Sequence, residues 1–277
     1  MRNWIKNKYV ILSGASSGIG KELCRLFICK YGARVIGIGR NEEKMLSLEK
    51  ELGEHAENFS YYLFDVSDKE SWDGLKNDLT KKDISPILLV NNAGMFPPFG
   101  KLVNTPVETV ERVLKTNFQS VTYAVHALSP ILKGEGKDKP AIVNVSSSSA
   151  LCTVVGAGAY SASKAAVKAY TEALAMEEKE KKYVGLICPG TTATELFNSD
   201  ENTKNSALDA FAMPATKMSK KIARSILKKK RRAVLGWDAK LMNFVAKIMP
   251  VKGLFLIRGV LKASKTKVFK NVFEDKE

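Results

Sequence analysis

No stretch of about 18 consecutive apolar residues occurs in the chain, and even the run from Leu254 to Ile257 is closed by Arg258, which excludes a membrane-crossing helix. Cysteine is scarce. The four present, Cys24, Cys29, Cys152 and Cys188, form no CxxC pair and no Cys/His cluster. This argues against a zinc site or a disulfide framework and predicts buried, reduced thiols. The apolar run at residues 9–12 is too short for the core of a secretory signal, so a cytoplasmic protein is expected. Internal repeats and low-complexity linkers are absent. What remains is a globular balance, with 45% hydrophobic and 26% charged residues among 277. That length suits one large domain with an elaborated end.

Charge is unevenly placed. Of the formal net charge of +15, residues 1–216 contribute almost nothing, whereas residues 217–277 carry 18 Lys/Arg against 4 Asp/Glu. A nearly neutral body with a basic, apolar-rich end suggests a local adaptation on an ordinary core.

Short β-rich runs alternate with helical patterns. Strands are predicted at residues 8–12, 34–38, 59–64, 86–90, 141–145 and 184–188, with a last one at 233–236. Between them Asn41 and Ser67 are candidate helix N-caps. A long helix is expected over 107–132, another over 159–181 and a basic one over 219–230. Residues 191–216 suit a mobile lid. Two short amphipathic helices, broken at Pro250 and Gly253, are expected over 241–261. Strands separated by helices mean successive right-handed βαβ units, hence a parallel sheet covered on both faces.

Between the first strand and the first helix stands Gly14-x-x-x-Gly18-x-Gly20, with Ser16, Ser17 and Ile19 in the gaps. Glycines there let the backbone approach a pyrophosphate at a helix N-terminus, although glycine turns also serve tight packing alone. Tyr160 and Lys164, four apart, share one helix face. An ammonium beside a phenol favours the phenolate, so the spacing predicts a lowered tyrosine pKa and a general acid/base. Which of Ser146, Ser147, Ser148 and Ser149 works beside it the spacing leaves open. Gly39-Arg40 ends the second strand where NAD-selective sites carry an acid, and a guanidinium there favours NADP(H) over NAD(H).

With Ser13 before the glycine turn, Asn91-Asn92-Ala93-Gly94 after the fourth strand, Asn117, Ser147, Tyr160-x-x-x-Lys164 and Pro189-Gly190, the first 195 or so residues resemble a classical short-chain dehydrogenase/reductase. The resemblance implies an α/β fold: a Rossmann-type doubly wound, mostly parallel sheet with helices on both faces, here followed by C-terminal amphipathic helices. It selects Ser147 as the serine holding the substrate oxygen and gives Asn117 a water that links Lys164 to solvent. Asp65 and Val66 would flank adenine, Asn92, Ala93 and Gly94 would line the dinucleotide, and Thr192 and Thr194 would contact nicotinamide and phosphate.

One catalytic domain over 1–236 with an extension over 237–277 is expected. The activity expected is an NADP(H)-dependent interconversion of a ketone and a secondary alcohol on an apolar substrate such as a steroid or long-chain lipid. A dinucleotide-binding pseudoenzyme and a membrane-surface protein on the same fold are the competing readings. The basic end can lie on anionic lipid, form a contact in a homo-oligomer, dimer or tetramer, or cover a greasy pocket. A nucleic-acid partner is not expected, because the segment lacks a reading motif. No metal is expected.

Overall fold

Val, Ile and Leu fill the strand runs almost without interruption, as strands buried on both faces require. The computed structural model describes residues 3–197, 212–264 and 267–273. Its strands are β1 (Tyr9–Ser13), β2 (Arg34–Gly39), β3 (Phe59–Leu63), β4 (Leu88–Asn91), β5 (Ala141–Val145), β6 (Tyr183–Pro189), β7 (Thr192–Ala193), β8 (Met213–Pro214) and β9 (Arg232–Leu235). Seven of them form one sheet in the order β3-β2-β1-β4-β5-β6-β9, every neighbouring pair parallel. The short β7 and β8 pair with each other. Strand order reverses at β1, which lies between β2 and β4, and ligands of such sheets bind beyond the carboxyl ends at that point.

Alternate strand side chains feed two cores. On one face Val10, Leu12, Val35 and Val143 meet Leu23 and Phe27 of α1 (Gly18–Arg25) and the π-turn after it, Met45 and Leu48 of α2 (Glu42–Leu52), and Ile222 and Ile226 of the helix Ala215–Leu227. On the other, Ile11, Ile36, Leu89 and Ile142 meet Trp72 and Leu75 of α3 (Lys69–Lys81), Val121 and Val125 of α5 (Ser120–Leu128), which follows α4 (Val107–Leu114), and Val167 of α6 (Gly158–Glu177). Each fully buried side chain of this kind stabilises by roughly 1.5–3 kcal/mol.

Several sequence expectations are corrected. Asn41 caps α2 by accepting from Lys44 N at 2.8 Å, but Asp68, not Ser67, caps α3. Ser67 N is already held by the Asp65 carboxylate at 2.8 Å, so the helix starts one residue later. The long helix over 107–132 is interrupted by a π-turn, Lys115–Gln119, centred on Asn117. Cys24, Cys152 and Cys188 are buried free thiols, whereas Cys29 is exposed, because Phe27 and Ile28 take the inward positions of their turn. Residues 198–211 of the expected lid, with Leu208 and Phe211, lie outside the described residues.

The C-terminal helices are Trp237–Ile248 and Lys252–Ala263. The break is at Pro250 and its neighbours. Gly253 lies inside the second helix, where a Cβ would come within 2.6 Å of Val245 Cγ1 and spoil the packing of one helix on the other. Asp238, in the first turn, accepts a hydrogen bond from Thr191 N at 2.6 Å. Its carboxylate occupies the space a Cβ on Gly190 would need. The exit of β6 and the start of the C-terminal helices are therefore locked together. Asp238→Ala should leave the Thr191 N–H without its charged acceptor and cost about 1.5–3 kcal/mol, measured as a lower midpoint of denaturant unfolding; an unchanged midpoint would remove Asp238 from this role.

Candidate active site

The carboxyl ends of β1, β4, β5 and β6 meet in a cavity of about 530 Å³. Its glycine side is built by close backbone approach. Gly14 and Gly18 have φ of +68° and +51°, and a Cβ on Gly20 would fall 1.9 Å from Gly14 O, so no side chain fits there. Ser13 Oγ accepts from Asn92 N at 3.0 Å and Ala93 N at 3.1 Å, and Asn92 Nδ2 donates back to Ser13 O at 3.1 Å. The Asn92-Ala93-Gly94 loop is thereby tied to the glycine turn. Thr194 approaches from the lid side, where its methyl would touch a Cβ on Gly18.

Tyr160 and Lys164 stand on α6, both buried. The Ser147 hydroxyl lies on the Tyr160 phenol side of the cavity, near enough to favour the ionised form of the phenol. Ser147 Oγ accepts from Ser149 N at 3.2 Å. Ser146 is turned away and donates to Lys164 O at 2.7 Å, fixing α6 against β5. Ser149 Oγ, beside them, is buried and has no hydrogen-bond partner among the described residues.

The expected lowering of the tyrosine pKa is corrected. Burial pushes the Tyr160 phenol up to about 12, with the neighbouring Ser147 hydroxyl acting weakly the other way. Burial also pushes the Lys164 ammonium down to about 8. Sharing a helix face does not suffice: Lys164 Nζ is 5.8 Å from the tyrosine ring centroid and donates to Val145 O at 3.1 Å. Desolvation of both groups outweighs their attraction.

Asn117 reaches the same place from the π-turn. Its Oδ1 accepts from Met95 N at 2.7 Å, and its Nδ2 donates to Met95 O at 3.0 Å and Ser163 Oγ at 3.0 Å. A Cβ on Gly94 would lie 3.2 Å from Asn117 Oδ1 and 3.3 Å from Lys164 Nζ. Gly94 thus lets a loop, a π-turn and a lysine converge. The extra residue of a π-turn is a common device at such positions.

Of the residues singled out from sequence, Ser17, Ile19, Ala93, Pro189, Gly190 and Thr192 also line the cavity. Ser16 and Arg40 lie at the end of β2 instead. Ser16 Oγ faces Gly39, and Arg40, 73% exposed at its side chain, donates to the Asp65 carboxylate at 3.0 Å. Val66 is buried in the core, with its carbonyl held by Trp72 Nε1 at 2.8 Å. Lys44 of α2 forms an ion pair with Glu195 beyond β7.

Sequence reasoning left a cover over a greasy pocket as one of three roles for the C-terminal end, and it did not single out Phe96, Phe99, Met242 or Phe269. Phe96 packs on Tyr160 with ring centroids 4.7 Å apart, and Phe99 packs on Phe269 at 5.2 Å. Met242, Ile257, Leu261 and Phe269, all from beyond β9, line the cavity. Their apolar character and periodicity were visible in the sequence, but not which face turned inward. Asp238 and Ser163 gave no signal at all.

The sequence and the fold that carry this cavity match known proteins. The model of the family described as short chain dehydrogenase matches residues 8–205. The chain is 30% identical over 189 residues to a 3beta-hydroxysteroid dehydrogenase 2 of Eggerthella lenta, covering 67% of this chain and 71% of that one. It is 34% identical to the 3-ketodihydrosphingosine reductase of Bos taurus, covering 71% of this chain and 60% of the longer bovine protein. Among solved structures, a variant of the actinorhodin polyketide ketoreductase with NADPH superposes with a TM-score of 0.72 at 25% identity, over 86% of this chain and 98% of that one. With the motif residues assembled around one cavity at the strand ends, the chain belongs to the short-chain dehydrogenase/reductase family and is an oxidoreductase of that family.

Proposed function

We propose that the protein is an NADP(H)-dependent oxidoreductase that interconverts a ketone and a secondary alcohol on an apolar substrate of steroid or long-chain lipid type. The observation that carries this reading is a single cavity in which the glycine cradle and the Ser147–Tyr160 pair open onto a wall of Phe96, Phe99, Met242 and Phe269. The names of the hydroxysteroid and ketodihydrosphingosine relatives support the substrate class.

The residues fit a nicotinamide dinucleotide, since the turn from Gly14 to Gly20 has no room for a side chain at Gly14 or Gly20 and offers the N-terminus of α1 to a pyrophosphate. Asn92, Ala93, Gly94, Pro189, Gly190, Thr192 and Thr194 continue that surface, and Asp65 and Val66 stand at the adenine end. NADP(H) bound there supplies or accepts the hydride. Arg40 uses one donor on Asp65 and has others left for a 2′-phosphate, with no carboxylate at Gly39 to repel it. Ser147 donates to the substrate oxygen and orients it. Tyr160, kept protonated by burial, gives its proton to that oxygen in reduction and takes it back in oxidation. Lys164, whose ammonium titrates near 8, returns the proton, and Asn117 holds the Met95 loop beside it for a water path to solvent. Residues 1–236 form the catalytic domain, and 237–277 are an extension that walls the pocket. Its outer side meets a second copy or a membrane surface in the cytoplasm.

NADPH oxidation with a panel of steroid, retinoid, acyl and sugar ketones tests the reading; turnover confined to small sugar ketones would overturn it. Tyr160→Phe should lower turnover by about 10²- to 10⁴-fold and leave NADPH affinity within a few-fold, read by stopped-flow and by titration of cofactor fluorescence. Arg40→Asp should erase the preference for NADPH over NADH, a change of several kcal/mol at most; equal efficiencies in the unmutated protein would refute the cofactor assignment.

Lys164 also sets a pH dependence of stability. The unfolded lysine keeps its proton to about 10.5 and the folded one loses it near 8. Between those values the unfolded chain binds more protons, so this group adds stability as pH rises, by about 3 kcal/mol in all. Lys164→Met should lack that rise. Between pH 7 and pH 10 the unfolding free energy of the unmutated ligand-free protein should therefore rise relative to that of Lys164→Met by about 2–3 kcal/mol; a constant difference would contradict the buried charge.

A further inference from the structure

The two C-terminal helices are apolar on both sides. Inward, Met242, Ile257 and Leu261 line the cavity. Outward, Leu241, Phe244 and Ile248 of the first helix are 52%, 61% and 61% exposed, and Phe255 and Leu256 of the second 66% and 55%. A helix packed on a core needs only its inner stripe apolar, and an outer stripe of Phe, Leu and Ile left in water is the mark of an interaction surface.

The charges around that stripe indicate what covers it. Lys240 and Lys247 flank it on the first helix, and Lys252, Arg258 and Lys262 stand among the apolar residues of the second, all exposed. None of the four lysines has an ion-pair partner among the described residues. The one acid in the two helices, Asp238, is turned inward onto Thr191 N. A second copy of the chain docked on this face would bring like charges together and strip water from lysines with no carboxylate to receive them. An anionic lipid surface accepts both features: aromatic and aliphatic side chains enter the acyl boundary while lysines reach the headgroups. Neither helix is long enough to cross a bilayer.

We propose that the outer face of the helices Trp237–Ile248 and Lys252–Ala263 is a monotopic docking surface for anionic phospholipid. The docked surface then lies about one helix diameter, ~10 Å, from the substrate cavity. A lipid-dissolved substrate reaches the cavity past Ile257 and Leu261 without crossing water. Docking stands on the helices alone, whereas delivery rests on the ketone-reductase reading above.

The test is flotation of the full chain with vesicles of phosphatidylcholine alone and of equimolar phosphatidylcholine and phosphatidylglycerol. Binding to the anionic vesicles is expected, weakening as salt is raised. Lys240→Gln and Lys247→Gln should each lower the partition coefficient about fivefold. The pair Phe244→Asp with Phe255→Asp should lower it at least tenfold. These side chains lie outside the cavity, so turnover of a small water-soluble ketone should be unchanged, which also shows that the variant is folded. No binding to either vesicle overturns the proposal, as does binding that the Phe pair leaves intact, since a basic tail alone would explain it. Loss of a dimer in sedimentation velocity by the Phe pair, without vesicle binding, would assign the face to a contact between copies. Vesicle binding is read without any substrate, so absence of ketone turnover would sink the function proposed above and leave docking standing.

Discussion

Close approach of other groups to glycine backbone at the carboxyl edge of the sheet is the constraint on which the rest of this molecule depends. Gly20 can have no side chain because Gly14 O occupies the place of its Cβ, Gly94 admits Asn117 and Lys164, and Gly190 admits the Asp238 carboxylate. Three chain segments far apart in sequence can share one small space only if each gives up a side chain there. The conformational entropy lost by each ordered glycine is offset by hydrogen bonds between the segments, such as those from Asn92 and Ala93 to Ser13.

Around that edge the polar groups are arranged in two ranks. Those facing the cavity, Ser147, Tyr160 and Lys164, have few internal partners. Those behind them are bonded along a continuous path: Asn91 donates to Asn144 Oδ1 at 2.8 Å, Asn144 to Thr171 Oγ1 at 2.9 Å, and Thr171 to Val167 O at 2.6 Å. A buried network fully satisfied in this way holds β4, β5 and α6 at fixed separation. The front rank can then be desolvated without drifting, and that desolvation sets the unusual proton affinities of Tyr160 and Lys164.

Much of this was legible in the sequence, and the physical reasons for what was not are specific. Strand β5 was read to the residue and its neighbours to within two, because strands buried on both faces leave an unbroken apolar run. The glycine turn was legible because an empty Cβ position is itself a sequence signal. The π-turn at Asn117 was not, since it arises when a side chain bonds to a loop 22 residues away. Spacing gave Tyr160 and Lys164 a common face but no depth, and depth reversed the expected direction of the tyrosine shift. The outer and inner stripes of the C-terminal helices were equally apolar, so periodicity alone could not say which was covered.

The Asp238 carboxylate joins two parts of the chain that lie 47 residues apart, the exit of β6 and the first turn of the C-terminal helices. Any rearrangement of the C-terminal helices is transmitted to the exit of β6, and any tightening of that exit is felt by the helices in equal measure, because a shared equilibrium works in both directions. The same bond limits how such proteins can exchange parts. A tail transplanted from a relative would need an acid at the same offset from the last strand, facing a glycine without a side chain, or the donated helices would arrive without this hydrogen bond to the exit of β6.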